Sequence, residues 1–210
     1  MKKTKNYVLT PESYMSEKER RRLLQTCKEK AELDSLKGRI TYPTRYMLVD
    51  LALFSGLRVA EMASLKIGDF NLSGNEPYLI VRNGKGNKKR TVYLDNELKK
   101  HLKEYISFKG KTLKHPIDND APLFPGRDFK HCPPITLMKS FKVALSDAGL
   151  PMRYSIHKCR HTYATFLLRD TGNLKFVQNQ LGHASLSMTC LYASILPEEN
   201  SKLANSIKRE

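Results

Sequence analysis

Pro77-Tyr-Leu-Ile-Val-Arg82, Asn83-Gly-Lys-Gly-Asn-Lys-Lys89 and Arg90-Thr-Val-Tyr-Leu94 decide the fold class of this 210-residue chain. The outer runs are rich in β-branched and aromatic residues and read as two short strands. The middle run is polar, carries two glycines and reads as the turn of an antiparallel hairpin. On both sides of this hairpin the apolar period lengthens from strand-like to helical. Downstream, Asp95 caps a helix to about Phe108, with Leu98, Leu102, Tyr105 and Ile106 at helical spacing. Upstream stand a short helix near Val59–Leu65 and a mostly apolar, buried helix from about Arg45 to Ser55, which Gly56 stops. Further upstream, Ser16-Glu-Lys-Glu19 is a capping-box pattern opening a helix to about Ala31, with Leu23, Leu24 and Cys27 on one face.

Residues 109–135, with many Pro, Gly and Asp, read as a long surface connection. Helices then follow over Thr136–Ala148, Ile156–Arg169, Asn173–Gly182 and Ser185–Ala193, and Pro197–Lys208 is a last amphipathic segment. The fold class is therefore mainly α with a small antiparallel β-sheet (α+β). The expected organisation is a flexible basic arm over residues 1–12, one domain over 13–196 and a tail helix over 197–210.

Composition narrows the partners. Lys and Arg number 37 against 21 Asp and Glu, a net charge of +16, with a pI near 9.7. The excess is distributed: residues 1–30 hold nine basic and four acidic residues, 61–90 six and three, and 151–180 five and one, whereas 181–210 are balanced at three and three. A folded face that gathers the basic segments suits a nucleic-acid backbone or an anionic membrane surface. The longest apolar stretch, Tyr46 to Leu57, is too short for a bilayer and contains Asp50. The start of the chain lacks the pattern of a secretory leader. Cys27, Cys132, Cys159 and Cys190 form no Cys-x-x-Cys pair, so neither a disulfide framework nor a zinc knot is expected.

Several residues could carry chemistry. In His157-Lys-Cys-Arg160-His161, His157 and Arg160 share a helix face, where an imidazole and a guanidinium suit a phosphate. A metal pair of His157 and His161 lacks the Glu of a His-Glu-x-x-His site, because position 158 is Lys. Gly56-Leu-Arg58-Val-Ala-Glu61 holds an arginine just beyond a buried helix; Arg58 and Glu61 are also spaced as an ordinary helical ion pair. Lys85 tips the hairpin, and its surroundings are not a phosphate-binding P-loop. Leu181-Gly-His183 places a histidine on a tight turn, nine residues before Tyr192. Each of these alone fits a surface or core role.

Taken in order and with these gaps, the motifs resemble the catalytic domain of the tyrosine recombinases, the phage-integrase family, over about residues 40–195. The resemblance implies that Tyr192 is the nucleophile and that Arg58, Lys85, His157, Arg160 and His183 complete the catalytic set. Glu61 and His161 support it, and Lys88, Lys89 and Arg90 bind DNA. Tyr192 would attack a phosphodiester to give a 3′-phosphotyrosyl intermediate, followed by strand exchange and rejoining. Such chemistry is physically coherent. Arg58 and Arg160 neutralise the charge that grows on the phosphate oxygens, with His157 and His183 adding hydrogen bonds. His157 accepts the phenol proton and Lys85 supplies one to the leaving 5′ oxygen.

The same resemblance implies double-stranded DNA as partner, no metal or other cofactor, and no membrane. It further implies a homotetramer on DNA that is a monomer without it, docking of Pro197–Lys208 on a neighbouring protomer, and a cytoplasmic, nucleoid-associated location. Lys158 and Cys159 depart from the usual family residues, and only about forty residues precede the first motif, where relatives carry a DNA-clamping domain. Two rivals share the scaffold: a type IB topoisomerase-like enzyme that relaxes DNA, and a non-catalytic DNA-binding regulator.

Overall fold

The computed structural model of the protein describes residues 11–82, 89–183, 185 and 187–193. Its first helix, α1 (Glu17–Leu36), opens on the expected capping box: Ser16 accepts from the Glu19 N–H, and the Glu19 carboxylate accepts from the Ser16 N–H at 2.9 Å. It runs five residues beyond the expected end at Ala31, because residues 32–36 contain no breaker; Leu33 and Leu36 there remain exposed. The second helix, α2 (Thr41–Phe54), starts four residues early. The Asp34 carboxylate accepts from the Tyr42 N–H at 3.0 Å, and Pro43 sits in the first turn, where no N–H is required.

Met47 to Leu53 of α2 are buried except Asp50. That lone charge meets His101 of α4 (Asn96–Lys111) at 2.6 Å. Beyond α2 comes the short helix α3 (Val59–Ala63). The sheet has three strands, β1 (Phe70–Asn71), β2 (Tyr78–Val81) and β3 (Arg90–Tyr93), antiparallel and in chain order. The hairpin strands were legible. The two-residue β1, paired Phe70 to Leu79, was not, being too short to show alternation. In β2 and β3, Leu79, Val81 and Val92 face the core, and Ile80 and Tyr93 face outward.

The connection after α4 corrects the sequence reading. Residues 109–135 are not all surface: Ala121 to Phe124 are buried, and so is Lys109, whose ammonium donates to the carbonyls of Pro122 (2.6 Å) and Leu123 (3.3 Å). Burial pushes the Lys109 amine down to about 8. The apolar pair Leu123-Phe124 supplies the reason, since it completes the core between α4 and α5 (Pro134–Asp147).

Three helices then carry most of the candidate site: α6 (Ile156–Thr171), α7 (Leu174–Leu181) and α8 (Ser187–Ala193). Ser155 caps α6 and Asn173 caps α7 through their side chains. Helix α6 joins two cores. Ile156 and Cys159 belong to the main core, while Tyr163, Ala164 and Leu168 form a smaller cluster with Val177, Leu181 and Tyr192. Its intervening turn holds Arg160 and His161. Among the described residues no helix is long and apolar enough to cross a membrane. The basic arm to residue 10 and the tail segment Pro197–Lys208 lie outside the described residues.

Candidate active site

Arg58 is the N-cap of α3, in extended conformation, and Glu61 is the third helical residue. The Glu61 carboxylate accepts from the Arg58 N–H at 2.8 Å and from Arg58 Nη1 at 2.8 Å. The ion pair read from the spacing is therefore present, and it fixes the arginine's backbone as well as its side chain. Arg90 completes the cluster, with Nη1 and Nη2 forking onto the two Glu61 oxygens at 2.8 and 2.9 Å. Burial alone would raise the Glu61 carboxyl. The hydrogen bonds from Arg90 and the Arg58 N–H, with both guanidinium charges, outweigh it and hold Glu61 at about 2. Two cations on one anion leave this cluster with a surplus positive charge.

Arg160 is buried in the first half of α6. Its Nη1 donates to the Gly56 carbonyl and its Nη2 to the Leu181 carbonyl at 2.6 Å. Main-chain carbonyls orient the guanidinium plane without neutralising it. Burial, then the Arg58 charge, pulls Arg160 down to about 10, so it stays cationic at neutral pH. Gly56, with φ +63, ends α2 and also sets the carbonyl that Arg160 grips.

The histidines and Tyr192 lie around this charge. His157 is exposed on the first turn of α6, and burial of part of its ring, with Arg160 and Arg58, lowers its pKa. His161, one turn on, meets it edge-on with centroids 4.6 Å apart. His161 Nδ1 lies 3.0 Å from the Tyr192 hydroxyl, and Tyr192 is only 3% exposed. On the other side His183 stacks parallel to the Tyr192 ring at 6.3 Å, and its Nδ1 lies 3.0 Å from Thr189 Oγ1. Burial first, then neighbouring charges, pushes both His161 and His183 down to about 4. Both are neutral at pH 7, so His183 supplies no standing charge before an anion arrives.

Arg58, Glu61, His157, Arg160, His161, His183 and Tyr192 are thus gathered from α3, α6, the α7–α8 turn and α8. Lys85 and Lys88 lie outside the described residues. Lys89 is exposed at the foot of the hairpin. Arg90, expected on a DNA backbone, is turned inward onto Glu61, with its side chain 11% exposed. Strand alternation carried that signal: Arg90 is two residues before the buried Val92 and shares its face. Gln180 escaped sequence reasoning altogether. It is buried, and its side-chain amide exchanges hydrogen bonds with the Tyr93 N–H (2.9 Å) and carbonyl (3.2 Å). No group of three or more His, Cys, Asp or Glu suited to a metal occurs among the described residues.

Such a set can hold a phosphodiester between two guanidiniums, with imidazoles to donate or accept protons and a phenol as nucleophile. A family model described as the phage integrase family matches residues 13–199. A tyrosine recombinase of Pseudothermotoga lettingae is 31% identical over 166 residues, covering 79% of this chain and 54% of that protein. The tyrosine recombinase XerC of Lactobacillus leichmannii is 33% identical over 149 residues, covering 70% and 49%. The chain spans about half the length of the curated relatives it matches. Among solved structures, the crystal structure of XerA recombinase superposes with a TM-score of 0.72 at 26% identity, covering all of this chain and 68% of that one. The catalytic domain of bacteriophage HP1 integrase shares the fold, with a TM-score of 0.61 at 22% identity and coverage of 92% and 94%.

Proposed function

The chain belongs to the phage integrase family, and from that premise we propose that it cuts and rejoins double-stranded DNA as a site-specific tyrosine recombinase. One observation carries the proposal: the hydroxyl of Tyr192 is held 3.0 Å from His161, in the same cluster as the fixed guanidiniums of Arg160 and Arg58.

The Tyr192 oxygen attacks the scissile phosphorus, and the bond from phosphorus to the 5′ oxygen breaks. A 3′-phosphotyrosyl ester and a free 5′-hydroxyl result. Arg58 and Arg160 take the charge that develops on the non-bridging oxygens, and His183 adds a hydrogen bond. His157, neutral and exposed, accepts the phenol proton. Lys85 gives a proton to the leaving 5′ oxygen. Attack by a 5′-hydroxyl of the partner strand reverses each transfer and rejoins the DNA without a nucleotide cofactor.

Tyr192 has to leave a site that is 3% exposed. Helix α8 is suited to this, because it rests on the smaller core and buries only Thr189 and Tyr192. Lys88 and Lys89 would contact flanking phosphates. The working assembly is a tetramer on DNA, in which Pro197–Lys208 docks on a neighbouring protomer.

The test is a suicide substrate. Duplexes selected from a randomised pool by binding are nicked beside the cleaved position, so that a short fragment diffuses away. A covalent protein–DNA adduct is expected, and Tyr192→Phe abolishes it. An adduct that survives in Tyr192→Phe refutes the nucleophile, and relaxation of supercoiled plasmid without site preference would favour a topoisomerase-like activity. Lys85→Ala should lose cleavage and regain it with a 5′-bridging sulfur, a leaving group that needs no proton; absence of rescue refutes the general acid.

A further inference from the structure

We propose that Arg90 is the positioning residue of the Arg58 clamp: it holds the Glu61 carboxylate so that Arg58 stays free to meet a phosphate. This rests on the function proposed above and deepens it.

The argument starts from donors and acceptors. Glu61 has two oxygens and is 5% exposed, so its charge has to be met inside the protein. Arg90 takes both with its fork, at 2.8 and 2.9 Å. Arg58 reaches Glu61 through a single Nη1 bond, and its side chain is 28% exposed. Arg58 therefore keeps its other N–H groups and an open approach. Without Arg90 the carboxylate would draw Arg58 into a bidentate pair of its own. The clamp would then be neutralised and turned inward.

Arg90 also ties three parts of the site together. It is the first residue of β3, the strand into which the Lys85 hairpin returns. Its Nε donates to the Gln180 carbonyl at 3.1 Å, at the end of α7. Gln180 in turn pairs with Tyr93 of the same strand, and the next carbonyl, that of Leu181, accepts from Arg160. The turn before His183 is built around this side chain. A Cβ on Gly182 would lie 2.6 Å from Arg90 Cδ, and Gly182 has φ +64. Only glycine lets the arginine stem pass. Lys89, not Arg90, is the neighbour that faces solvent.

Single-turnover cleavage of the selected nicked duplex at saturating protein, beside equilibrium binding at several salt concentrations, separates this role from a phosphate contact. Arg90→Gln should cleave about 100-fold more slowly, the size expected when a clamp is misplaced by about 1 Å. Its Kd and salt slope should change no more than those of Arg58→Gln, the residue through which it acts. Arg90→Lys keeps the charge and the stem over Gly182 but loses the fork, and should stay impaired. Because Arg90 acts through Glu61, Arg90→Gln added to Glu61→Gln should cost little more than Glu61→Gln alone.

Full cleavage at saturation overturns the proposal. So does a salt slope that falls by about one further unit when Arg90→Gln is added to Arg58→Gln, the mark of a phosphate contact of its own, or full additivity with Glu61→Gln. Circular dichroism checks that each variant folds. If wild-type protein forms no adduct, the proposed function fails, and the Arg90 role is then decided by NMR titration of the Glu61 carboxyl. That titration should move up from about 2 in Arg90→Lys; an unchanged titration overturns the role.

Discussion

Replacing Gly56 by alanine tests how tightly the end of α2 is built into the site. Gly56 has φ +63, and a left-handed conformation costs alanine about 1–2 kcal/mol. A second cost is steric. A Cβ there would lie 2.6 Å from Tyr163 Cδ1 and 2.9 Å from Leu181 Cδ2, and both side chains sit in the smaller core. Forcing a methyl into packed surroundings costs about 1–3 kcal/mol. Gly56→Ala should therefore lose roughly 2–5 kcal/mol, from the same two costs. Gly172→Ala is the internal control, with φ +62 and nothing within 4 Å of the added Cβ. It should lose only the backbone cost, about 1–2 kcal/mol. Urea unfolding followed by far-ultraviolet circular dichroism measures both, since the chain has no Trp. Because the Gly56 carbonyl accepts from Arg160, Gly56→Ala should also cleave DNA more slowly than its folded fraction explains. Equal losses in the two variants would refute the packing argument. Full cleavage by folded Gly56→Ala would refute the claim that this carbonyl orients Arg160.

Other consequences follow from charge. His161 titrates near 6.5 when unfolded and near 4 when folded, so the unfolded chain binds the proton first. Stability is then complete above pH 6.5 and falls as the pH drops towards 4. His161 alone should remove about 2 kcal/mol by pH 5, and His183 acts in the same direction. Glu61, held at about 2, adds its own loss only below pH 4.5. His161→Gln should flatten the fall between pH 7 and 5; an equally steep fall in that variant contradicts the assignment. Lys88→Ala and Lys89→Ala should each reduce the slope of log K against log salt by about 0.9, and an unchanged slope means that the lysine touches no phosphate. Glu61→Gln leaves Arg58 and Arg90 as close, unneutralised cations and should cost about 3 kcal/mol in urea unfolding, as breaking a buried pair does; a loss under about 1 kcal/mol would mean that Glu61 holds nothing in place.

The fold class was legible because its signals are local. Ser16 and Glu19 satisfy each other within one turn, Asp95 caps the next N-terminus, and Leu98, Leu102 and Tyr105 repeat at helical spacing. What the sequence hid depends on contacts between distant residues. Helix α2 begins early because Asp34, eight residues before Tyr42, reaches its N–H. Leu123 and Phe124 look like part of a polar connection until Lys109 is seen to hold the carbonyls of Pro122 and Leu123 in place. Within the site, Arg58, Arg160, His183 and Tyr192 were legible as motifs. Their partners were less so. Glu61 could be paired with Arg58 by spacing, but its fork with Arg90 joins residues 29 apart. Strand alternation could have turned Arg90 inward, yet nothing local says that Gln180 receives it.

The central claim is that Tyr192 carries the DNA covalently. The most direct measurement digests the trapped adduct with protease and nuclease and maps the modified residue by mass spectrometry. A nucleotide joined through its 3′ phosphate to Tyr192, in the peptide containing Thr189-Cys-Leu-Tyr-Ala193, is the predicted result. The same modification on another of the ten tyrosines, or a 5′-phosphate linkage, would contradict it.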